Sequence, residues 1–352
     1  MSLTVALAVL GGLVLAALVA HGAWQARKAG PKRAADAVAP AAAREQGLAE
    51  GGIEPSFGPI GGEPTPPPAA AELRSARRNA PRLDALVDGM ATLAIEVQVS
   101  GDMALSHLPP SRRAGGKPLL IEGLNAGTGE WEAPVAGERY REFQAGVLLA
   151  NRTGALNEIE YSEFVQKVQA FADAIGALPD FPDMLDVVAR ARELDAFASE
   201  HDAQLAVHLR ARAAAWSVGY IQQHAARHGF TPGLMPGRMV LPAAQEGAPP
   251  VLTLTFDAQA ALADDPNRAA VRDVTLSFDV PQTDPKAEPF SAWQASAQAL
   301  ALGMDAAIVD DKGQPLSADG FAAIGAELGQ LYGALDSHDL GAGSAAARRL
   351  FS

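Results

Sequence analysis

The most constraining feature of this chain is a long apolar run near its N-terminal end, in which no side chain from Leu3 to Trp24 is formally charged. At 1.5 Å per residue, about 22 residues give roughly 33 Å of helix, and the hydrocarbon layer of a bilayer is about 30 Å thick. Such a helix is long enough to cross a membrane. We therefore expect residues 1–26 to form a transmembrane anchor.

Basic residues flank this run on one side only, because Arg27 and Lys28 follow it directly and no basic residue precedes it. Basic flanks stay on the cytoplasmic side of a membrane. A cleaved signal peptide would carry its basic residues before the apolar run instead. The sequence therefore predicts an uncleaved anchor, with its N-terminus outside and the rest of the chain in the cytoplasm.

Residues 27–84 are rich in Ala, Pro, Gly and Glu, and they include the prolines Pro64, Pro66, Pro67 and Pro68. A segment of this composition has too few large apolar side chains to build a core. We expect a disordered linker, and about 58 residues of flexible coil would hold its ends roughly 40 to 45 Å apart.

From residue 85 onward, apolar residues recur with the periods of strands and helices. The first strand is predicted by four apolar residues that alternate with polar ones: Leu93, Ile95, Val97 and Val99. Helical spacing is found at residues 164–175, 187–197, 216–226 and 321–331. The mixture of the two periods predicts an α+β fold.

Two of the helical segments align without a gap, Tyr161–Ile175 (YSEFVQKVQAFADAI) and Phe290–Met304 (FSAWQASAQALALGM). Aromatic residues match aromatic residues, and apolar residues match apolar ones, at the core positions. A second predicted helix follows each segment, and after it come Ser199–Asp202 in one case and Asp336–Asp339 in the other, both with a His-Asp pair.

These matches indicate an internal duplication. We infer two related α+β units, residues 85–200 and 201–340, followed by a flexible tail at 341–352. The alternative is a chance likeness between two amphipathic helices, and the first halves of the two units match poorly.

Charge and composition argue against several classes of function. Acidic residues outnumber basic ones by thirteen, whereas sequence-independent nucleic-acid binding needs a cationic surface. No nucleic-acid partner is therefore expected. The chain has no cysteine, which excludes disulfides, thiolate zinc sites and a cysteine nucleophile.

The strongest candidate for a metal site is His224 with His228, four residues later on a predicted helix. No carboxylate adjoins the first histidine and no third ligand is evident, so a solvated helix face is the better interpretation. The glycines at 313, 320, 325 and 329 fit neither a phosphate-binding loop nor a dinucleotide fingerprint. We predict no catalysis and no cofactor.

An apolar anchor, a Pro-rich spacer and a C-terminal α+β module form the layout of the ZipA family of bacterial division proteins. The local likeness lies in three segments, the strand LAVHL at 205–209, the strand VTLSFDVP at 274–281 and AAIVDDKGQPLS at 306–317 before the last helix. In these features the chain resembles that family. The resemblance implies an antiparallel sheet covered by helices on one face, with residues 201–340 as the FtsZ-binding unit.

The resemblance also implies a function, a location and a partner. Members of that family are anchored in the bacterial inner membrane, with a periplasmic N-terminus, and bind the C-terminal tail of FtsZ on the open face of the sheet. We accordingly expect an adaptor that tethers the division ring to the inner membrane lipid bilayer. The alternative is a membrane-anchored scaffold that binds another peptide or envelope component.

The expected contact residues are the outward positions on strands that match the family: Ala206, His208, Met239, Thr253, Thr255, Thr275 and Ser277. For one strand two registers are open, which expose either Arg238 and Val240 or Met239 and Leu241. The face is more polar than an apolar cleft. Either Leu148 and Ile121 of the first unit help to build it, or polar contacts hold the tail.

Overall fold

The computed structural model describes residues 82–245, 247–263, 265 and 269–352. These residues form a mixed α+β structure with antiparallel sheets and eight α-helices, which confirms the predicted fold class. The predicted anchor at 1–26 and the linker up to residue 81 lie outside the described residues. Within the described part, no helix is long and apolar enough to cross a membrane.

The first sheet and its helices extend from residue 88 to residue 201. Its strands are β1 (Asp88–Ser100), β2 (Arg113–Ala114), β3 (Lys117–Asn125), β4 (Trp131–Glu132), β5 (Arg139–Leu148) and β8 (Ala177–Asp180). Their order is β2-β3-β5-β1-β8, and β4 pairs with β3. A separate hairpin is formed by β6 (Ala150–Asn151) and β7 (Gly154–Ala155), and the helices are α1 (Gly101–His107), α2 (Glu158–Ile175) and α3 (Met184–His201).

Helix α2 shows how local sequence sets these elements. The Asn157 side chain accepts hydrogen bonds from the first turn, and Glu160 closes a capping box. Gly176 ends the helix in a left-handed conformation with φ of 70°, which glycine adopts without steric cost. The buried face carries Phe164 and Phe171, at the spacing that the sequence predicted.

The second sheet and its helices extend from residue 204 to residue 336. Its strands are β9 (Gln204–Ala211), β10 (Thr231–Pro232), β11 (Arg238–Leu241), β12 (Leu252–Thr255), β13 (Asp273–Asp279) and β14 (Ala306–Val309). Their order is β10-β11-β12-β13-β9-β14. The helices are α4 (Val218–Arg227), α5 (Ala258–Ala261), α6 (Pro289–Met304) and α7 (Ala318–Asp336), and a 3₁₀ turn spans Pro285–Ala287.

The two sheets are connected in the same way. In each, the first strand (β1 or β9) pairs on one side with the strand that precedes a long helix (β5 or β13). On its other side it pairs with the short strand that follows that helix (β8 or β14). The helices concerned are α2 and α6, the segments that align in the sequence.

The repeated His-Asp segments lie where the two halves meet. His201 ends α3, and its ring stacks on Phe197 with 4.1 Å between ring centroids. The ring of His338, just after α7, lies 4.2 Å from the same phenylalanine. Each Nδ1 lies close to the carbonyl oxygen four residues earlier, at 2.7 Å from Phe197 and 3.0 Å from Ala334. The two histidines at equivalent positions of the sequence therefore contact the same aromatic ring.

The C-terminal residues 341–352 are folded, and the prediction of a flexible tail there is wrong. Helix α8 (Ala345–Leu350) begins at Ser344, whose side chain accepts from the Ala347 N–H. Leu350 and Phe351 are each 1% exposed. They belong to a cluster that joins the two halves, with Val87, Leu148, Ala150, Ala198, Leu335 and Leu340.

Charged contacts reinforce this junction. Arg349 of α8 makes a two-pronged ion pair with the fully buried Asp88 of β1, at 2.5 and 2.6 Å. Arg152, in the β6–β7 turn, reaches Asp202 at 2.6 Å and Asp279 of β13 at 2.7 Å. The described residues, from 82 to 352 with their gaps, accordingly belong to one compact unit rather than to two separate ones.

Candidate peptide-binding face

One face of the second sheet is the floor of a hydrophobic core. Along β9 and β13 every second residue packs there, and Leu209 and Leu276 are fully buried. Helices α4, α6 and α7 cover this face with side chains such as Ile221, Trp293 and Phe321. Because strand side chains alternate between faces, the residues between them point the other way.

The opposite face, called the open face below, gathers the predicted residues into two rows across the strands. One row runs Arg238, Thr255, Thr275, His208, and the other runs Val240, Thr253, Ser277, Ala206. Six of the seven predicted contact residues therefore lie together: Ala206, His208, Thr253, Thr255, Thr275 and Ser277. Five are half-buried, but Ser277 is 6% exposed, so a ligand would meet its neighbours first.

Met239 is the exception among the predicted contact residues. It pairs with Leu254 and is 2% exposed in the core, so its assignment to the outward face was wrong. The register that places Arg238 and Val240 outward is the one found. A shift by one residue moves every side chain of a strand to the other face.

His208 has three polar side-chain partners, more than the other described residues of the open face. Its Nδ1 lies 3.1 Å from Asp273 Oδ1 and its Nε2 lies 3.0 Å from Asp311 Oδ1. The Thr275 hydroxyl is 3.2 Å from the same Nδ1. Burial lowers the pKa of His208, but the hydrogen bonds to the two carboxylates outweigh this, so the net pKa is raised. Protonated His208 therefore links β13 to the segment after β14.

At the β11 end of the open face lies an apolar groove of about 590 Å³. Its lining includes Leu234, Met235, Arg238, Val240, Pro242 and Pro250, and it is called the edge groove below. Leu234 and Met235 are exposed. Sequence reasoning missed this feature, although an apolar pair between Pro232 and Pro236 was a signal for an exposed turn.

The corresponding face of the first sheet is partly covered by the chain itself. The Leu83 side chain lies against Gly146, where an added Cβ would be 2.4 Å from it. The Leu83 N–H donates to the Glu122 carboxylate at 3.1 Å. Leu148 is 0% exposed and Ile121 is 7% exposed, so neither is available to build a binding face, contrary to one explanation offered above.

In the described part of the chain, His224 and His228 have no third side chain beside them that could complete a metal site. The His224 ring packs on Tyr220 at 4.4 Å, and burial, followed by nearby Arg227 and His228, lowers its pKa. Among the described residues, no three His, Cys, Asp or Glu side chains form a group suited to a metal ion.

Comparison with protein-family models and with curated proteins gave no match. The resemblance to the ZipA family therefore rests on the sequence segments quoted for it. The geometry of the open face and of the edge groove is independent of that resemblance.

Proposed function

We propose that this chain is a membrane-anchored cell division adaptor that binds the C-terminal tail of FtsZ and tethers the division ring to the bacterial inner membrane. The observation that carries the proposal is the open face of the second sheet. Six residues expected from the family resemblance lie there in register, while α4, α6 and α7 pack on the opposite face.

The chemistry of the open face suits an extended peptide. Threonine hydroxyls and the Arg238 guanidinium offer hydrogen bonds to a peptide backbone. The face holds few large apolar side chains, so a single tail would bind with modest affinity. Many tails on one polymer would still hold it at the membrane, because linked sites raise the effective concentration of one another.

The N-terminal segments complete the proposed role. Residues 1–26 would anchor the chain in the inner membrane lipid bilayer with a periplasmic N-terminus. Of the linker predicted at 27–84, the end around Leu83 packs on the first sheet, and residues 27–81 would let the cytoplasmic unit reach roughly 40 Å from the membrane. This arrangement needs no chemical step, cofactor or nucleic acid.

The fold is best explained by a duplication in which the second unit, residues 201–340, keeps the binding role. The matching strand connections, the aligned helices α2 and α6, and the paired histidines around Phe197 support it. The first unit, residues 85–200, would serve as a support, since its corresponding face is partly filled by Leu83.

The test is fluorescence anisotropy of a labelled FtsZ tail peptide titrated with the full chain in detergent micelles. We expect saturable binding, and we expect Thr253→Trp to weaken it by about tenfold or more because the indole covers the open face. Thr92→Trp is the matched control, since Thr92 is an exposed strand threonine of the first sheet. Absence of binding to the unmodified chain would reject the FtsZ assignment and favour a scaffold for another peptide or envelope component.

A further inference from the structure

The edge groove is held open by a rigid turn between β10 and β11. The Gly233 N–H donates to the Arg238 carbonyl at 2.9 Å, and the Arg238 N–H donates to the Met235 carbonyl at 3.2 Å. Gly237 has φ of 72°, and an added Cβ would lie 2.4 Å from the Phe256 carbonyl oxygen. The backbone thus fixes the turn, and only glycine fits at position 237.

This turn presents apolar side chains to water. Leu234 is fully exposed and Met235 is 63% exposed. Prolines at 232, 236, 242 and 250 add further apolar surface around them. Exposed apolar surface is unfavourable by about 25 cal/mol per Å², and a concave apolar site of roughly 300–1,000 Å³ is typical of ligand pockets. The groove, at about 590 Å³, falls in that range.

Arg238 gives the groove a charge. Its Nη2 donates to the Thr253 hydroxyl at 3.3 Å, which places the guanidinium between the groove and the open face. No carboxylate of the described residues pairs with it, unlike the Arg152, Arg210 and Arg349 side chains. An exposed guanidinium beside an apolar site favours a carboxylate next to an apolar group.

We propose that the edge groove binds an acidic peptide through an apolar anchor side chain, with the neighbouring carboxylate on Arg238 and the backbone continuing over the open face. This inference rests on the proposed function, and it names the class of peptide and the contact that selects it. A lipid surface fits less well, because anionic membranes are bound by clusters of basic residues and Arg238 is the one cation lining the groove among the described residues.

The test uses the full chain in detergent micelles and three labelled peptides. One is the FtsZ tail peptide, and the others are a probe octapeptide with two leucines and two aspartates and a counterpart in which lysines replace the aspartates. The groove variants are Leu234→Ser and Arg238→Glu. Their matched controls are Leu302→Ser, an exposed leucine, and Arg212→Glu, an exposed arginine, both outside the groove.

We expect the acidic probe to bind the unmodified chain, both groove variants to weaken it about tenfold, and both controls to change it less than twofold. Arg238→Glu should favour the lysine probe, which a merely structural effect of the substitution would not produce. Circular dichroism would check that each variant keeps its fold.

The outcomes separate the two proposals. If the FtsZ tail binds and the groove variants leave both ligands unaffected, the groove inference is rejected and the adaptor role stands. If the FtsZ tail fails to bind while the acidic probe binds in an Arg238-dependent way, the groove inference stands and the FtsZ assignment falls. If the acidic probe does not bind the unmodified chain, the groove inference is overturned.

Discussion

Among the residues of the open face, His208 couples the stability of the fold to pH through its hydrogen bonds. Its ring joins Asp273 on β13 and Asp311 after β14, and Arg210 also contacts Asp273 at 3.3 Å. A protonated imidazole can donate to both carboxylates, whereas a neutral one can donate to only one of them, so the contribution of His208 at this edge of the open face depends on its charge.

We expect the stability contributed by His208 to depend on pH. Its pKa in the folded state lies above the ordinary 6.5, so its stabilising effect is fully present below pH 6.5 and is lost as pH rises through the raised pKa. Urea unfolding of the unmodified chain and of His208→Gln at several pH values measures this. Asp311→Asn should lower the pKa of His208, measured by NMR, because it removes one of the two carboxylates. An unchanged pKa of His208 in this variant would contradict the contact with Asp311.

At the scale of elements, helix α8 and strand β1 depend on each other. Asp88 is fully buried, and the side chain of its partner Arg349 is 12% exposed. A buried carboxylate without a cation is strongly unfavourable, because neither water nor an opposite charge compensates it.

Removal of Arg349 should therefore be severe. We expect Arg349→Ala to lower the free energy of unfolding by about 3–5 kcal/mol, the range for breaking a buried pair. Arg192→Ala is the matched control, because its ion pair with Glu158 is exposed and should contribute at most about 1 kcal/mol. Urea denaturation followed by circular dichroism compares them, and equal losses would mean that the Asp88 pair is not the main contact of α8.

For the whole molecule, the shared cluster around Leu350 and Phe351 makes the two sheets interdependent. Its members come from the residue before β1, from β5, β6, α3, α7 and α8 and from the segments after α7 and α8, so this cluster adds a shared core to the separate core of each half. The Arg152 contacts with Asp202 and Asp279 cross the same junction.

The two sheets should accordingly unfold in one transition. Trp131 lies in the first sheet, and Trp293 lies in the core of the second. In each variant of the full chain that keeps only one of these two tryptophans, with Phe at the other positions, the urea midpoint by fluorescence should equal the midpoint by far-UV circular dichroism of that same variant. Two separated midpoints would show that the halves unfold independently.

Local periodicity predicts most of the helices and strands, and the burial of individual residues departs from it where strand pairing is irregular. Helix α2 was predictable because its apolar spacing, its cap at Asn157 and its end at Gly176 are all local. Val97 was expected on the covered face of β1, yet it is 77% exposed. The register of β1 with β5 shifts between Ala94 and Val99, and such an irregularity re-aims side chains that alternation alone would bury.

For the candidate site too, local alternation predicts some features, whereas contacts between distant segments decide others. Alternating Thr, Ser and His residues indicated one face of a sheet, and six of the seven predicted contact residues do lie together there. The choice between Met239 and Arg238 was not local, because pairing with Leu254 decides which of the two faces the core. The edge groove depends on segments brought together by a turn and by the residues after β11, so strand periodicity contained no trace of it.

By itself, then, the sequence determined the α+β class, the strand and helix segments, and the residues able to line one polar face, since these depend on periods of two and 3.6 residues along the chain. Tertiary structure alone decided the register of β11, the burial of the C-terminal helix against Asp88 and the covering of the first sheet by Leu83. Those features depend on contacts between residues far apart in the chain, and no local pattern encodes such pairings.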